Sequence, residues 1–184
     1  MKLLDAVNTV LPHLGEHPIT SIETTKHPTV ALILKAIERQ THMLLAEGFW
    51  FNEVTLTLPV NTDGRINTPE RAMSIYGIDC NVSIEGEQLF DLNTGSYYFT
   101  RPIKVVIVRD VPFEDLPQYA ALCITYNAGA EVYVADFGVE SAVSSMQQLG
   151  EWNRQKLQQD ERRNRQSNSL KYVKSRMRGF HKWR

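Results

Sequence analysis

PTVALILKAIERQTHMLLAEGFWFNEVTLTLPV, residues 28–60, holds two incompatible periodicities, and the change between them decides the fold class. Val30, Ile33, Leu34, Ile37, Thr41, Leu44, Leu45 and Gly48 fall at offsets 0, 3, 4, 7, 11, 14, 15 and 18 from Val30, which is one face of an α-helix. Lys35, Glu38, Arg39, His42 and Glu47 take the opposite face. Pro28 suits the first turn, and Gly48 ends the helix. Phe49, Trp50 and Phe51 follow, and three consecutive aromatics cannot share one side of a regular element, so they are expected to wrap a helix-to-sheet join. From Glu53 the apolar residues alternate as Val54, Leu56, Leu58 and Val60, the period of a strand.

Working outward toward the N-terminus, Leu3, Leu4, Val7, Val10, Leu11 and Leu14 repeat helically, with Gly15 as the C-terminal cap. Pro12 predicts that this helix is short or bent, because a proline ring clashes with the carbonyl four residues back. Gly15 to Lys26 reads as a connector. Toward the C-terminus, Asn61-Thr62-Asp63-Gly64 is a turn before a short Arg65–Asn67 strand. Further strands are expected over Ala72–Ile78, Asn81–Glu85, Gln88–Leu92, Tyr97–Thr100 and Lys104–Arg109, with hairpin turns at Glu85-Gly86-Glu87 and Asn93-Thr94-Gly95-Ser96. Leu116-Pro117 opens a helix through Tyr119, Leu122, Cys123, Tyr126 and Ala130, whose small residues Ala120, Ala121, Ala128, Gly129 and Ala130 admit close helix packing. Asp136-Phe137-Gly138 turns the chain, and a last helix carries Val139, Ala142, Val143, Met146, Leu149 and Leu157 on one stripe. The predicted fold class is α+β: a helical bundle of about four helices with an inserted antiparallel β meander and an extended basic C-terminal tail. Its expected divisions are 1–52 and 112–157 for the two halves of the bundle, 53–111 for the meander and 158–184 for the tail.

Charge is distributed unevenly. Residues 151–184 carry eleven basic against three acidic side chains, a balance of +8, while residues 1–150 carry nine against eighteen, or −9. An acidic body with a basic end predicts that the end meets an anionic surface, whether nucleic acid, membrane or an acidic protein patch. Gln158 to Ser169 has no apolar side chain, so it is expected to fray or to project into solvent. Leu170, Val173, Met177, Phe180 and Trp183 then recur at helical steps among cations. This end is read as disordered in the isolated chain and ordered on a partner.

Other chemistry is poorly supported. The N-terminus has no apolar run of signal-peptide length and no stretch approaches a membrane span, so a soluble, intracellularly made protein is expected. Cys80 and Cys123 are far apart and read as reduced thiols. His13 and His17 have metal-helix spacing, but Gly15 and Pro18 break the helix, so no metal or cofactor site is expected. Phosphate-binding glycine loops and nucleophile elbows are absent from the sequence; Glu85 and Glu87 read as a solvated hairpin tip, and Glu114 and Asp115 as a helix start. No catalytic residue is assigned.

Asp5-Ala6-Val7-Asn8, Leu14-Gly15-Glu16 with Pro18 and Ile19, Gly48-Phe49-Trp50-Phe51-Asn52 and the helix-opening Leu116-Pro117 occur in an order that resembles the tail tubular protein A, or head-to-tail adaptor (gatekeeper), family of short-tailed podoviruses. The likeness runs from about Leu3 to the start of the last helix; Pro12 and the basic aromatic end from Lys171 to Arg184 depart from the family's pattern. It implies a non-catalytic virion tail protein made in the host cytoplasm. Twelve copies would ring the channel between portal and tail nozzle through which genomic DNA leaves, with the bundle and C-terminal end toward the portal and the β part toward the nozzle. On that reading Leu170, Val173, Arg176, Met177, Arg178, Phe180, Lys182, Trp183 and Arg184 contact the portal. Asn93, Thr94, Ser96 and Tyr97 contact the nozzle or a neighbouring subunit, although plain cross-strand packing accounts equally well for the tyrosine. A nucleic-acid-binding protein using Tyr172, Phe180 and Trp183 for stacking is the alternative.

Overall fold

The computed structural model describes residues 1–22 and 27–180, with side chains through residue 165. Helix α1 spans Leu3–Val10 and passes into a 3-10 turn at Leu11–Leu14, which places Pro12 where no intrahelical donor is needed. Gly15 then takes φ 76°, and Gly15 N–H and Glu16 N–H donate to Pro12 O and Leu11 O, closing the helix as its glycine predicts. Asn8 ties down the connector from both of its amide groups: Nδ2 donates to Ile19 O and Oδ1 accepts from Ile19 N–H, each at 2.9 Å. Helix α2 covers Pro28–Leu45.

The chain forms two compact units, Met1–Ile37 with Leu116–Arg184, and Glu38–Asp115. In the second unit β1 (Glu53–Leu58), β2 (Ala72–Gly77), β3 (Val82–Glu85), β4 (Gln88–Asp91) and β5 (Ile103–Arg109) are all antiparallel to their neighbours. The last strand is central: the larger sheet runs β1-β5-β2, and β3-β4 is a separate hairpin. Ile103, Val105 and Ile107 of β5 point to one face, as period two requires, and pack with Leu58, Ile66, Ile75, Leu89 and Phe99. On β1 the alternation holds for Leu58, which is buried, but Leu56 at an edge strand stays 39% exposed.

Two expected strands are reduced. Arg65–Asn67 contributes one bridge, Asn67 to Gln88, and residues 97–100 form none. Tyr97 and Tyr98 are both exposed, because the alternation of faces applies only inside a ladder.

In the first unit α3 (Gln118–Phe137) has no exposed residue from Tyr119 to Tyr133. A helix that is apolar on all sides is a central helix. Helices α4 and α1 and the 3-10 turn pack on it. Gly129 is where they come close: a Cβ there would lie 3.1 Å from Met146 Sδ and 3.2 Å from a Val10 methyl. Asp136 and Phe137 are the last residues of α3 and Gly138 caps it, so the chain turns from Gly138 onward, two residues later than Asp136-Phe137-Gly138 predicts.

Helix α4 corrects the sequence reading twice. It begins at Ser141, leaving Val139 outside it and 84% exposed, and Leu149 is 41% exposed. Its buried seam consists of Val143, Met146, Gly150, Asn153 and Leu157, steps of three and four that include a glycine and an asparagine, and Val143, Met146 and Gly150 meet α3. The helix also does not dissolve after Leu157. It continues to Phe180 as one 40-residue element. A helix needs no apolar face to close its backbone bonds, and this segment supplies local partners: Asp160 with Arg163 at 3.6 Å, Glu161 with Arg165, and Asn164 Nδ2 donating to Asp160 O.

Candidate assembly surfaces

Two places carry the residues that the sequence singled out. The first is the loop after β4. Asp91, nearly buried, builds it: its Oδ1 accepts from Asn93 N–H at 2.8 Å and Thr94 N–H at 3.4 Å, and its backbone pairs with Ser96 and Gly95. This is an Asx turn, the local bonding that Asp-x-Asn-Thr-Gly favours. Asn93, Thr94 and Ser96 are thus held on one short loop with Tyr97 at its exit. The structure brings the four together. Asn93 Oδ1 also accepts from Asn81 Nδ2 at 3.2 Å.

Tyr97 packs edge-on against Phe90, centroids 5.0 Å apart, and its hydroxyl donates to Glu85 Oε2 at 2.6 Å. The bond to Glu85 holds the phenol above its ordinary pKa, since the carboxylate favours the protonated donor. Glu85 is therefore a partner of Tyr97 at the hairpin rather than one of a free carboxylate pair. Tyr98 stacks under Arg65, 5.6 Å from guanidinium to ring. Ile78 and Leu92, each more than half exposed, flank Asn81, whose carbonyl accepts from Leu92 N–H. Burial, then the nearby Asp91 and Asp79 carboxylates, raises the Cys80 thiol above its usual range, which keeps it protonated.

The second place is the distal part of α4. Leu170, Val173, Arg176, Met177, Arg178 and Phe180 lie on its continuous backbone, while Lys182, Trp183 and Arg184 lie outside the described residues. Helix α3 begins at Gln118, and its Tyr119 ring sits 6.3 Å from Trp152. Beyond Leu157 α4 runs for 23 more residues, about 34 Å at 1.5 Å per residue. At about 100° per residue, positions 170, 173, 177 and 180 fall on the side of the axis opposite to the seam positions 143–157. From Arg162 to Phe180 there are seven basic residues and no acidic one.

Sequence reasoning missed two residues of the β unit. Asn52 is fully buried: its Oδ1 accepts from Phe49 N–H at 2.7 Å, and Nδ2 donates to Leu45 O and Arg109 O. It joins the end of α2, the aromatic turn and β5, which is how the three aromatics are held at the helix-to-sheet join. Arg71, at φ 58°, is the other; no sequence signal marks it, since arginine has no preference for that conformation. Among the described residues no group of three His, Cys, Asp or Glu side chains could hold a metal ion, and no helix is long and apolar enough to cross a membrane.

The fold is α+β, and its last helix continues past Leu157 to Phe180. Residues 4–167 match the tail tubular protein family, and the chain belongs to it. That family is a structural one, not a family of enzymes, and its members are components of the phage virion tail. Tail tubular protein A of Klebsiella phage KP34 is 34% identical over 173 residues, which cover 93% of this chain and 92% of the relative.

Proposed function

We propose that the protein is the head-to-tail adaptor of a short-tailed phage: a ring, of twelve copies by family resemblance, between portal and tail nozzle and around the channel that genomic DNA follows. The observation that carries this reading is the phase of α4. Its proximal seam is used on α3 within the chain, whereas by helical period positions 170, 173, 177 and 180 fall on the opposite side of the axis. An apolar stripe so placed serves another molecule, and its surrounding cations select an acidic one. The portal is that molecule in this reading, with Leu170, Val173, Arg176, Met177, Arg178 and Phe180, together with Lys182, Trp183 and Arg184, as contacts. Asn93, Thr94, Ser96 and Tyr97 face the nozzle. Repeated around a ring, the acidic body would place negative charge along the bore and discourage DNA from adhering as it passes.

Sedimentation velocity of the chain mixed with portal protein from the same phage tests this, for full length and for a truncation after Ser169. A large complex with full length that is lost on truncation is expected; truncated chain that binds equally well would remove the α4 contact. The run of seven cations without an anion favours a second reading, direct nucleic-acid binding. In that case binding to arbitrary DNA weakens log-linearly with salt, with a slope of about −0.9 per phosphate neutralised.

A further inference from the structure

The β unit contains a cleft of about 490 Å³ between residues 67–72 and the turn of the β3-β4 hairpin, lined by Asn67, Thr68, Arg71, Glu87 and Gln88 among others. Its walls are fixed by backbone and side-chain bonds: Thr68 N–H donates to Glu87 O at 2.9 Å, Thr68 Oγ1 to Gly86 O at 3.2 Å, and Asn67 bridges Gln88. Asn67 Oδ1 is occupied by Asn61 Nδ2 at 2.9 Å, and Gln88 Oε1 by Arg65 at 3.1 Å. Each carbonyl oxygen is thus already drawn to a donor, while the NH2 group of each amide remains as a donor. Arg71 adds a guanidinium that makes no ion pair with the described residues.

The conformation of Arg71 gives the cleft further meaning. It is the non-glycine residue with positive φ among those described, at the third position of the Pro69–Ala72 turn, closed by Ala72 N–H donating to Pro69 O. Glycine or asparagine fits that position without strain. A bulky residue retained there points to a task for its side chain. Asp110 N–H donates to Arg71 O at 2.8 Å, anchoring the strained peptide to the strand region.

We infer that this cleft binds the carboxylate of an Asp or Glu side chain on an abutting protein, with Arg71 as the bidentate donor and the amides of Asn67 and Gln88 completing the oxygen site. Three donor groups around one opening define an oxyanion site. Glu87 sets its charge: with Arg71 it leaves the cleft neutral, which penalises a phosphate dianion more than a monoanionic carboxylate. The inference does not depend on the ring or on α4.

Saturation-transfer NMR on the full chain, with the capped peptide acetyl-Ala-Glu-Ala-amide, its Gln counterpart and inorganic phosphate, tests it. The Glu peptide binds at least tenfold more tightly than the Gln peptide, and more tightly than phosphate. Arg71→Gly and Arg71→Asn, both compatible with the backbone, lose tenfold or more, while Glu87→Gln strengthens binding. Equal binding of the Glu and Gln peptides, preference for phosphate, or unchanged affinity in folded Arg71→Gly or Arg71→Asn would each overturn the assignment.

Discussion

Asn52 shows how much one side chain can hold. Removing its amide leaves Phe49 N–H, Leu45 O and Arg109 O without that partner in a buried place. Asn52→Ala should lower stability by about 3 kcal/mol in urea unfolding, since each buried orphan costs roughly 1–3 kcal/mol and some rehydrate. Arg71 is the opposite case. Arg71→Gly should raise stability by about 1 kcal/mol, the cost of a left-handed non-glycine residue less the entropy that glycine adds to the unfolded chain. Tyr97 gives a pH effect. Its folded pKa is raised by Glu85, so its contribution is complete below the ordinary tyrosine pKa of about 10 and is lost as pH rises through the folded value. Carbon-13 titration of labelled tyrosines should show the Tyr97 transition moving down in Glu85→Gln; no movement would mean that another group causes the shift. Tyr133, bonded to Glu140 at 2.7 Å across the α3-α4 turn, is raised by the same cause.

The α3-α4 hairpin is decided by small residues. A Cβ at Gly150 would lie 2.4 Å from Asn127 Oδ1, too close without a shift. Gly150→Ala should therefore cost about 1–3 kcal/mol, the usual range for overpacking. Asn127→Ala in the same chain should recover most of that, as a double-mutant cycle by thermal or urea unfolding would measure. Additive losses would place the strain elsewhere. Asn153 in the same seam is 2% exposed, and its Oδ1 has no hydrogen-bond partner among the described residues, so the seam carries a polar atom that a purely apolar stripe would not. The 3-10 turn after α1 works by the same close fitting: Pro12 ends the α-helical ladder, and Val10 just before it meets Gly129 of α3.

For the whole molecule the consequence is a division of labour along α4. The seam through Leu157 stabilises the first unit, whereas positions 170, 173, 177 and 180 fall on the other side of the axis by helical period. Truncation after Ser169 should therefore leave the melting temperature within about 2 °C of the full chain, a change of no more than about 1 kcal/mol for this size. A large drop would mean that the distal helix folds against its own body. Membership of the tail tubular family accounts for a chain whose surfaces are better organised than any reactive centre, and it sets assembly as the activity to measure.

The sequence by itself determined the elements. The change of period at Glu53, Gly15, Gly48 and Gly138 as stops and Leu116-Pro117 as a start are local signals, because capping, proline geometry and side-chain alternation act over a few residues. Asn93-Thr94-Gly95-Ser96 was legible as a turn for the same reason. Only the tertiary structure decided what lies beside what. The central place of β5 depends on pairings across up to 57 positions in the chain, as from Glu53 to Val108 and from Asn52 to Arg109, which no local pattern encodes. The burial of Gly150 and Asn153 in a seam, while Val139 and Leu149 stay out, follows from where α3 lies. The continuity of α4 through Phe180 was likewise decided there: periodicity gives the relative phase of residues within a segment, but only an unbroken helix carries that phase from one segment to the next.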